Sequence, residues 1–255
     1  MSGPIDFGLT HGGAVARVRL RRPRANVLDS EMVDALRGVV EGCGAISGLK
    51  LLVFEGEGPN FSFGASVPAH LPGRVEDMLR RFHNLFFDIE ELGVPTAALV
   101  RGHCLGGAAE LVATCGLVVA DASARIGFPE VTLGVFPPVA AMGLRWGVGG
   151  ATATRLVITG EVIPAGQALS TGLFDLVVDD PEAALDAWYS AHLGALSAVA
   201  VRYAWQASRA PFLAALREEL PRLESLYLDD LMRHSDPVEG ITAFVEKRQP
   251  EWRHA

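Results

Sequence analysis

Cysteine is scarce, and the little there is forms no pattern. Cys43, Cys104 and Cys115 are the only three, too few and too irregularly spaced for a disulfide framework, and no Cys-x-x-Cys or His-x-x-x-His pair offers a metal-binding spacing. Buried, inert thiols and no metal site are therefore expected. No apolar run reaches the roughly 18 residues of a membrane span. The opening "MSGPIDFGLTHGG" lacks the basic start and apolar stretch of a signal peptide, so a cytoplasmic protein without membrane contact is expected. Positive charge is in deficit: a net charge of −8 works against non-specific binding to nucleic acid, though a polyanionic small molecule needs only a local cationic cluster. Internal repeats and low-complexity segments are absent as well.

What remains is a chain of 255 residues, 49% hydrophobic and 20% charged, long enough to bury a sizeable core without a metal or disulfide. Two extended runs flank His11-Gly12-Gly13, which reads as a hairpin. In the second run Ala14, Ala16, Val18 and Leu20 alternate with arginines. "RVRLRRPR", residues 17–24, holds five arginines in eight positions, and by charge pattern alone reads as the solvent face of an edge strand. Met32, Val33, Leu36, Val39 and Val40 share a helical face that Asp29 or Ser30 can cap. "LKLLVFEG" is a continuous apolar run of strand length, the mark of a strand buried on both faces. From Val75 to Leu92 the apolar set Val75, Met78, Leu79, Phe82, Leu85, Phe86, Ile89 and Leu92 keeps helical spacing. Strand "TAALVRG", helix "GGAAELVATC", strand "GLVVAD" and extended "ARIGFPE" follow with short connections. An α/β core of mixed or parallel strands is expected over residues 1–180. Residues 181–255 read as helical only, and a lid or oligomer contact is expected there.

The stretch "HCLGGAAELVATCGLVVADASARIGFPE" places two glutamates, Glu110 and Glu130, in a run rich in Gly, Ala, Val and Leu. A helix beginning near Gly106 puts Gly107 in its first turn, where N–H groups lack intrahelical partners and sit at the positive end of the dipole. Glu110, three residues on, shares that face and can lean back toward whatever Gly107 binds. Taken alone, Glu110 reads as an acidic residue complementing a helix N-terminus, Glu130 as a loop residue after Pro129, and the glycines as tight helix–strand packing.

The combination resembles the enoyl-CoA hydratase/isomerase family, the crotonases. "VRGHCLGGAAELVATCGLVVADASARIGFPEVTLGVFPP" is similar to its signature throughout, and the likeness continues in "LVITGEVIPAGQALSTGLFDLVV", "EGITAFVEKRQPEW" and, more weakly, "RPRANVLDSEM". The resemblance implies repeated ββα units with a C-terminal helical region, assembly as homotrimers or homohexamers, and an acyl-CoA thioester as substrate, coenzyme A being part of that substrate and no other cofactor implied. It implies an oxyanion hole made by the backbone N–H groups of Ala65, in "FSFGASV", and Gly107. It assigns the two hydratase acids to Glu110, in "GGAAEL", and Glu130, in "FPEVTLG", which jointly hold the water, with Glu130 favoured as proton donor to carbon. By position it further implies substrate or CoA contacts at Arg24, Asn26, Val27, Phe63, Gly64, Ser66, Pro137 and Lys247, with Arg24 and Lys247 facing the CoA phosphates.

Two departures from the family pattern stand beside the acyl pocket: Ser66 where the family carries Asp, and "PPVAA", residues 137–141, where it carries "PGAGG". Within the family, "NFSFGASVPAHLPGRVEDMLRRFHNLF" is most similar to the branch that hydrates cyclohexa-1,5-diene-1-carbonyl-CoA. The expected activity is water addition to an α,β-unsaturated acyl-CoA through an enolate held in the oxyanion hole. Other readings are an isomerase or hydratase for linear or carrier-bound acyl chains, and a noncatalytic acyl-CoA- or RNA-binding relative. A nucleophilic hydrolase pairing Ser62 or Ser66 with His70 or His103 lacks a Gly-x-Ser-x-Gly elbow and an orienting acid.

Overall fold

The computed structural model describes residues 3–255; Met1 and Ser2, within the expected 1–180 unit, lie outside the described residues. A six-stranded sheet runs in the order β1 (Ile5–Thr10), β2 (Val15–Leu20), β3 (Leu51–Gly56), β4 (Thr96–Val100), β6 (Leu117–Ala120), β9 (Leu176–Val177). Only β1 and β2 are antiparallel, closing the expected hairpin, and every other pair is parallel. A second sheet joins β5 (His103–Leu105), β7 (Arg125–Gly127) and β8 (Val162–Pro164).

The continuous apolar strands are covered on both faces, as such strands require. Leu52, Phe54, Ala98, Val100, Val118 and Ala120 point into one core. Their neighbours Leu51, Val53, Ala97, Leu99, Leu117 and Val119 point into another. The first face carries α1 (Ser30–Cys43), whose N-cap Asp29 accepts from Met32 N–H, and α2 (Val75–Leu92), which ends as the apolar period predicts.

The other face is covered by α8 (Pro181–His192) through Leu185 and Tyr189. The first helix beyond residue 180 is thus a layer of the sheet's own core. The rest of the C-terminal region is α9 (Ala198–Ser225), a π-helical turn (Leu226–Asp230) and α10 (Ser235–Glu246).

The arginine run also differs from its edge-strand reading. β2 lies inside the sheet, and Arg17 and Arg19 both bond the buried carboxylate of Glu55 on β3. Arg21 pairs with Glu57, and Arg22 with Asp29 and Glu31. Of the five, Arg24 alone has no acidic partner among the described residues.

The chain repeats one move. A strand of the large sheet is followed by a short extended piece in the second sheet and then by a helix: β3, the bridge at Ser62, α2; β4, β5, α3 (Gly107–Ala113); β6, β7, then a 3₁₀ turn (Pro129–Leu133) and α4 (Pro138–Gly143). This is the ββα repeat, and it delivers three chain segments to one place.

Candidate active site

Parallel register fixes what meets there. Ser62 bridges Cys104 in parallel, so three residues further along each chain Ala65 and Gly107 come out side by side. Cys104 and Leu105 pair in parallel with Ile126 and Gly127, which brings Glu130 out beside them on the third chain. Ligand sites of parallel sheets form at such carboxyl ends. A cavity of 220 Å³ opens at this point, lined by Ala65, Gly107 and Glu130 together with Val67, His70 and Leu133.

The backbone at the junction is tight. Gly64, at φ 86°, admits no side chain: a Cβ there would collide with the Leu105 carbonyl oxygen and lie 3.2 Å from the Gly107 nitrogen. A Cβ on Gly107 would meet Phe82 of α2 at 2.8 Å. Neither the Ala65 nor the Gly107 N–H has a protein acceptor among the described residues. Two adjacent free donors, one at a helix N-terminus, are what a developing oxyanion needs.

Glu110 lies behind this surface, 3% exposed, on the first turn of α3. Its Oε1 accepts from Ala140 N–H at 2.8 Å, at the N-terminus of α4. Burial raises its pKa to about 7 against the lowering effect of the Ala140 and Val139 N–H groups. Glu130 is raised well above the ordinary carboxylate range, by burial and then by the charge of Glu110. Its Oε2 is sealed from solvent with no hydrogen-bond partner. The N–H groups of Ala140 and Val139 favour the ionised form of Glu110, and no comparable donor serves Oε2 of Glu130. Two carboxyl groups whose environments separate their proton affinities supply a base and an acid.

The remaining expected residues take several positions. Asn26 is fully buried, and its side chain accepts from Arg22 N–H and donates to the carbonyls of Glu57, Asn60 and Phe61; it holds the loop that carries Arg24 and Val27. Arg24, at φ 85°, is exposed. Phe63 is exposed at the cavity and stacks on His103 with centroids 5.2 Å apart. Ser66 is the N-cap of the 3₁₀ turn Val67–His70 that follows Ala65, and Pro137 is the N-cap of α4, which contains Ala140. Lys247 is the exposed, left-handed C-cap of α10, three residues beyond the cavity-lining Phe244.

The hydrolase pairing does not form. Ser62 Oγ donates to the Asn26 carbonyl and accepts from Gly64 N–H, while the His70 ring meets the Ser66 carbonyl and the His103 ring Asn60. Among the described residues no cluster of three or more His, Cys, Asp or Glu could hold a metal ion, and no helix is long and apolar enough to cross a membrane.

The sequence model of the enoyl-CoA hydratase/isomerase family matches residues 10–255. The chain belongs to this family. It is 38% identical over 253 residues to the cyclohexa-1,5-dienecarbonyl-CoA hydratase of Thauera aromatica, covering 99% of this chain and 98% of that one. It is 30% identical over 255 residues to a probable enoyl-CoA hydratase of Bacillus subtilis, covering 94% and 95%. The crystal structure of an enoyl-CoA hydratase from Mycobacterium avium superposes with a TM-score of 0.87 at 26% identity, covering 99% of this chain and 100% of that one.

One residue beside the acids was not singled out from sequence. Tyr227, from the π-helical turn, is 1% exposed, and its phenol is driven up by burial and then by the charges of Glu130 and Glu110. A Leu-Tyr-Leu run within a helical pattern carries no signal that would have revealed it.

Proposed function

We propose that this protein adds water across a cyclic dienoyl-CoA thioester of the cyclohexa-1,5-diene-1-carbonyl type, as a hydratase with Glu110 and Glu130 as its acids. The observation that carries the hydratase reading is the pair of glutamates, Glu110 buried and Glu130 half-buried, beside two unengaged N–H donors. The ring is supported by the 38% identity to the Thauera enzyme along the whole chain.

Ionised Glu110 takes a proton from water as its oxygen bonds the β carbon. The electron pair of the α,β double bond moves to the thioester oxygen, held by Ala65 and Gly107 N–H, a contribution of roughly 3 to 4 kcal/mol per donor. In a conjugated ring that charge extends to the remote end of the second double bond. Protonated Glu130 delivers its proton there, and the ring double bond shifts. The acids return to their starting state when the proton on Glu110 passes to Glu130 through the next water.

The size of the pocket favours a compact acyl group. Apolar cavities of about 150 Å³ admit benzene, and this one measures 220 Å³. The two prolines of "PPVAA" stiffen the start of α4, whose Ala140 N–H holds Glu110, Pro137 as N-cap and Pro138 as the first residue. The deciding experiment compares kcat/KM for the cyclic diene and crotonyl-CoA, then locates deuterium after turnover in D₂O. The diene should be far the better substrate, with label at the remote ring carbon. Faster crotonyl-CoA turnover, or label at the α carbon, returns the protein to hydratases of linear chains.

A trimeric or hexameric assembly belongs to the same reading. Its support is the exposed apolar set Trp146, Ile158, Val162 and Leu169 on the segment between α4 and β9. Light scattering that found an active monomer would overturn it.

A further inference from the structure

Two polar atoms near the reacting centre are buried without partners: Oε2 of Glu130 and the phenol oxygen of Tyr227. A buried hydroxyl without a partner is costly, and phenylalanine would fill the same space without that cost. The ring of Tyr227 packs among Val75, Leu79, Val135 and Ile241, and lies 5.3 Å from that of Phe136. Val67 and Leu133 belong both to this apolar cluster and to the cavity wall that holds Glu130. The π-helical turn, a rare geometry concentrated at functional sites, places Tyr227 inward while Leu226 stays exposed. α10 is pressed onto the turn bearing Glu130 so closely that a side chain on Gly240 would collide with the Leu133 carbonyl.

We propose that Tyr227 is a positioning residue for Glu130, its phenol O–H donating to the Glu130 carboxylate in the interval between proton delivery to carbon and reprotonation. This rests on the hydratase reading above. Once Glu130 has given up its proton it is an anion in an apolar wall, and the unpartnered phenol is the donor available to it. Tyr227 keeps its own proton throughout.

The other titratable groups on the elements around this pair are engaged elsewhere. Glu110 accepts from Ala140, and His70 meets the Ser66 carbonyl. On α2, Asp77 pairs with Arg80 and Arg81, and His83 with Glu224 of α9. On the C-terminal side, Asp229 accepts from Ser225, Asp236 from the N–H groups of Arg253 and His254, and Glu239 from Arg248. Glu76 and Asp230 stand at the ends of elements, exposed to solvent.

The test is Tyr227→Phe. In the holoprotein as purified, an infrared titration of the Glu130 carboxyl, isolated by subtraction of Glu130→Gln, should show its midpoint moving to higher pH in the variant, because the ionised form has lost a donor. With enoyl-CoA, kcat should fall about tenfold or more with KM within about twofold, and the alkaline limb of the kcat–pH profile should move up. The melting temperature should hold or rise. An unmoved Glu130 midpoint with unchanged kcat would overturn the proposal. A wild-type protein that hydrates no enoyl-CoA would sink the hydratase reading instead, and the infrared titration would still decide whether Tyr227 serves Glu130.

Discussion

The N–H of Ala140 donates to the Glu110 carboxylate over 2.8 Å, and no group does the same for Oε2 of Glu130. This asymmetry separates the two acids. Glu110→Gln and Glu130→Gln should each cut kcat by more than about a hundredfold, while binding of a CoA thioester changes little. Retention of more than roughly a tenth of kcat in either variant, a loss under about 1.4 kcal/mol, would argue against a two-acid mechanism.

The pH profile follows from the same asymmetry. Glu110 must be ionised to take a proton from water, and its pKa stands at about 7. Hydration kcat should therefore rise with pH through neutrality. Glu130 must stay protonated, and because burial and the Glu110 charge raise its pKa, an alkaline limb is expected where it ionises. A profile flat from pH 5 to 8 would contradict this assignment.

Stability should move the opposite way. A carboxyl whose folded pKa lies above its unfolded value gives full stability below the unfolded pKa and loses it as pH rises through the folded one. For Glu110 the window runs from 4.5 to about 7. Glu110→Gln should thus be more stable than wild type at pH 8, by on the order of 3 kcal/mol, with little difference near pH 4. Equal denaturation midpoints at both pH values would refute the raised pKa.

Gly107 packs against Phe82 and, in the proposed mechanism, also donates to the oxyanion. Gly107→Ala sets a Cβ 2.8 Å from Phe82 Cζ, so a loss of about 1 to 3 kcal/mol in stability and about a hundredfold in kcat is expected. Trimming the neighbour in Gly107→Ala/Phe82→Leu should restore part of both. Without recovery in the double variant, the collision with Phe82 is not the cause.

Arg24 and Lys247 are both exposed, Lys247 three residues beyond the cavity-lining Phe244. Their replacement by Ala should raise KM by about three- to tenfold at low ionic strength with kcat preserved, and the effect should shrink as salt is added. An unchanged KM at low salt would remove them from the CoA site.

Much of this architecture is legible in local pattern. α2 shows its full length because eight apolar side chains keep one face over the whole helix, and Glu110 stands three residues from Gly107, whose N–H is left without a protein acceptor. What local pattern cannot carry is pairing across distance. His83 and Glu90 sit on the buried side of α2 because Glu224 and Arg209 of α9 meet them there. Glu55 draws Arg17 and Arg19 into the sheet in the same way. Tyr227 is hidden for a related reason: its inward turn depends on a π-helical step where α9 ends, and a residue's place in such a step is set by the elements it packs against.

The loop bearing Arg24 has a consequence for how substrate arrives. Two left-handed positions, Arg24 and Asn26, flank Ala25, and the buried amide of Asn26 ties the loop to the carbonyls of Glu57, Asn60 and Phe61. The conformational entropy of that loop is lost when the protein folds, so none of it is left to be lost on binding. For a thioester that docks on this loop, capture is expected to be a single encounter with a finished surface. Stopped-flow binding should accordingly trace one phase, linear in thioester concentration, with no slower step of loop ordering behind it.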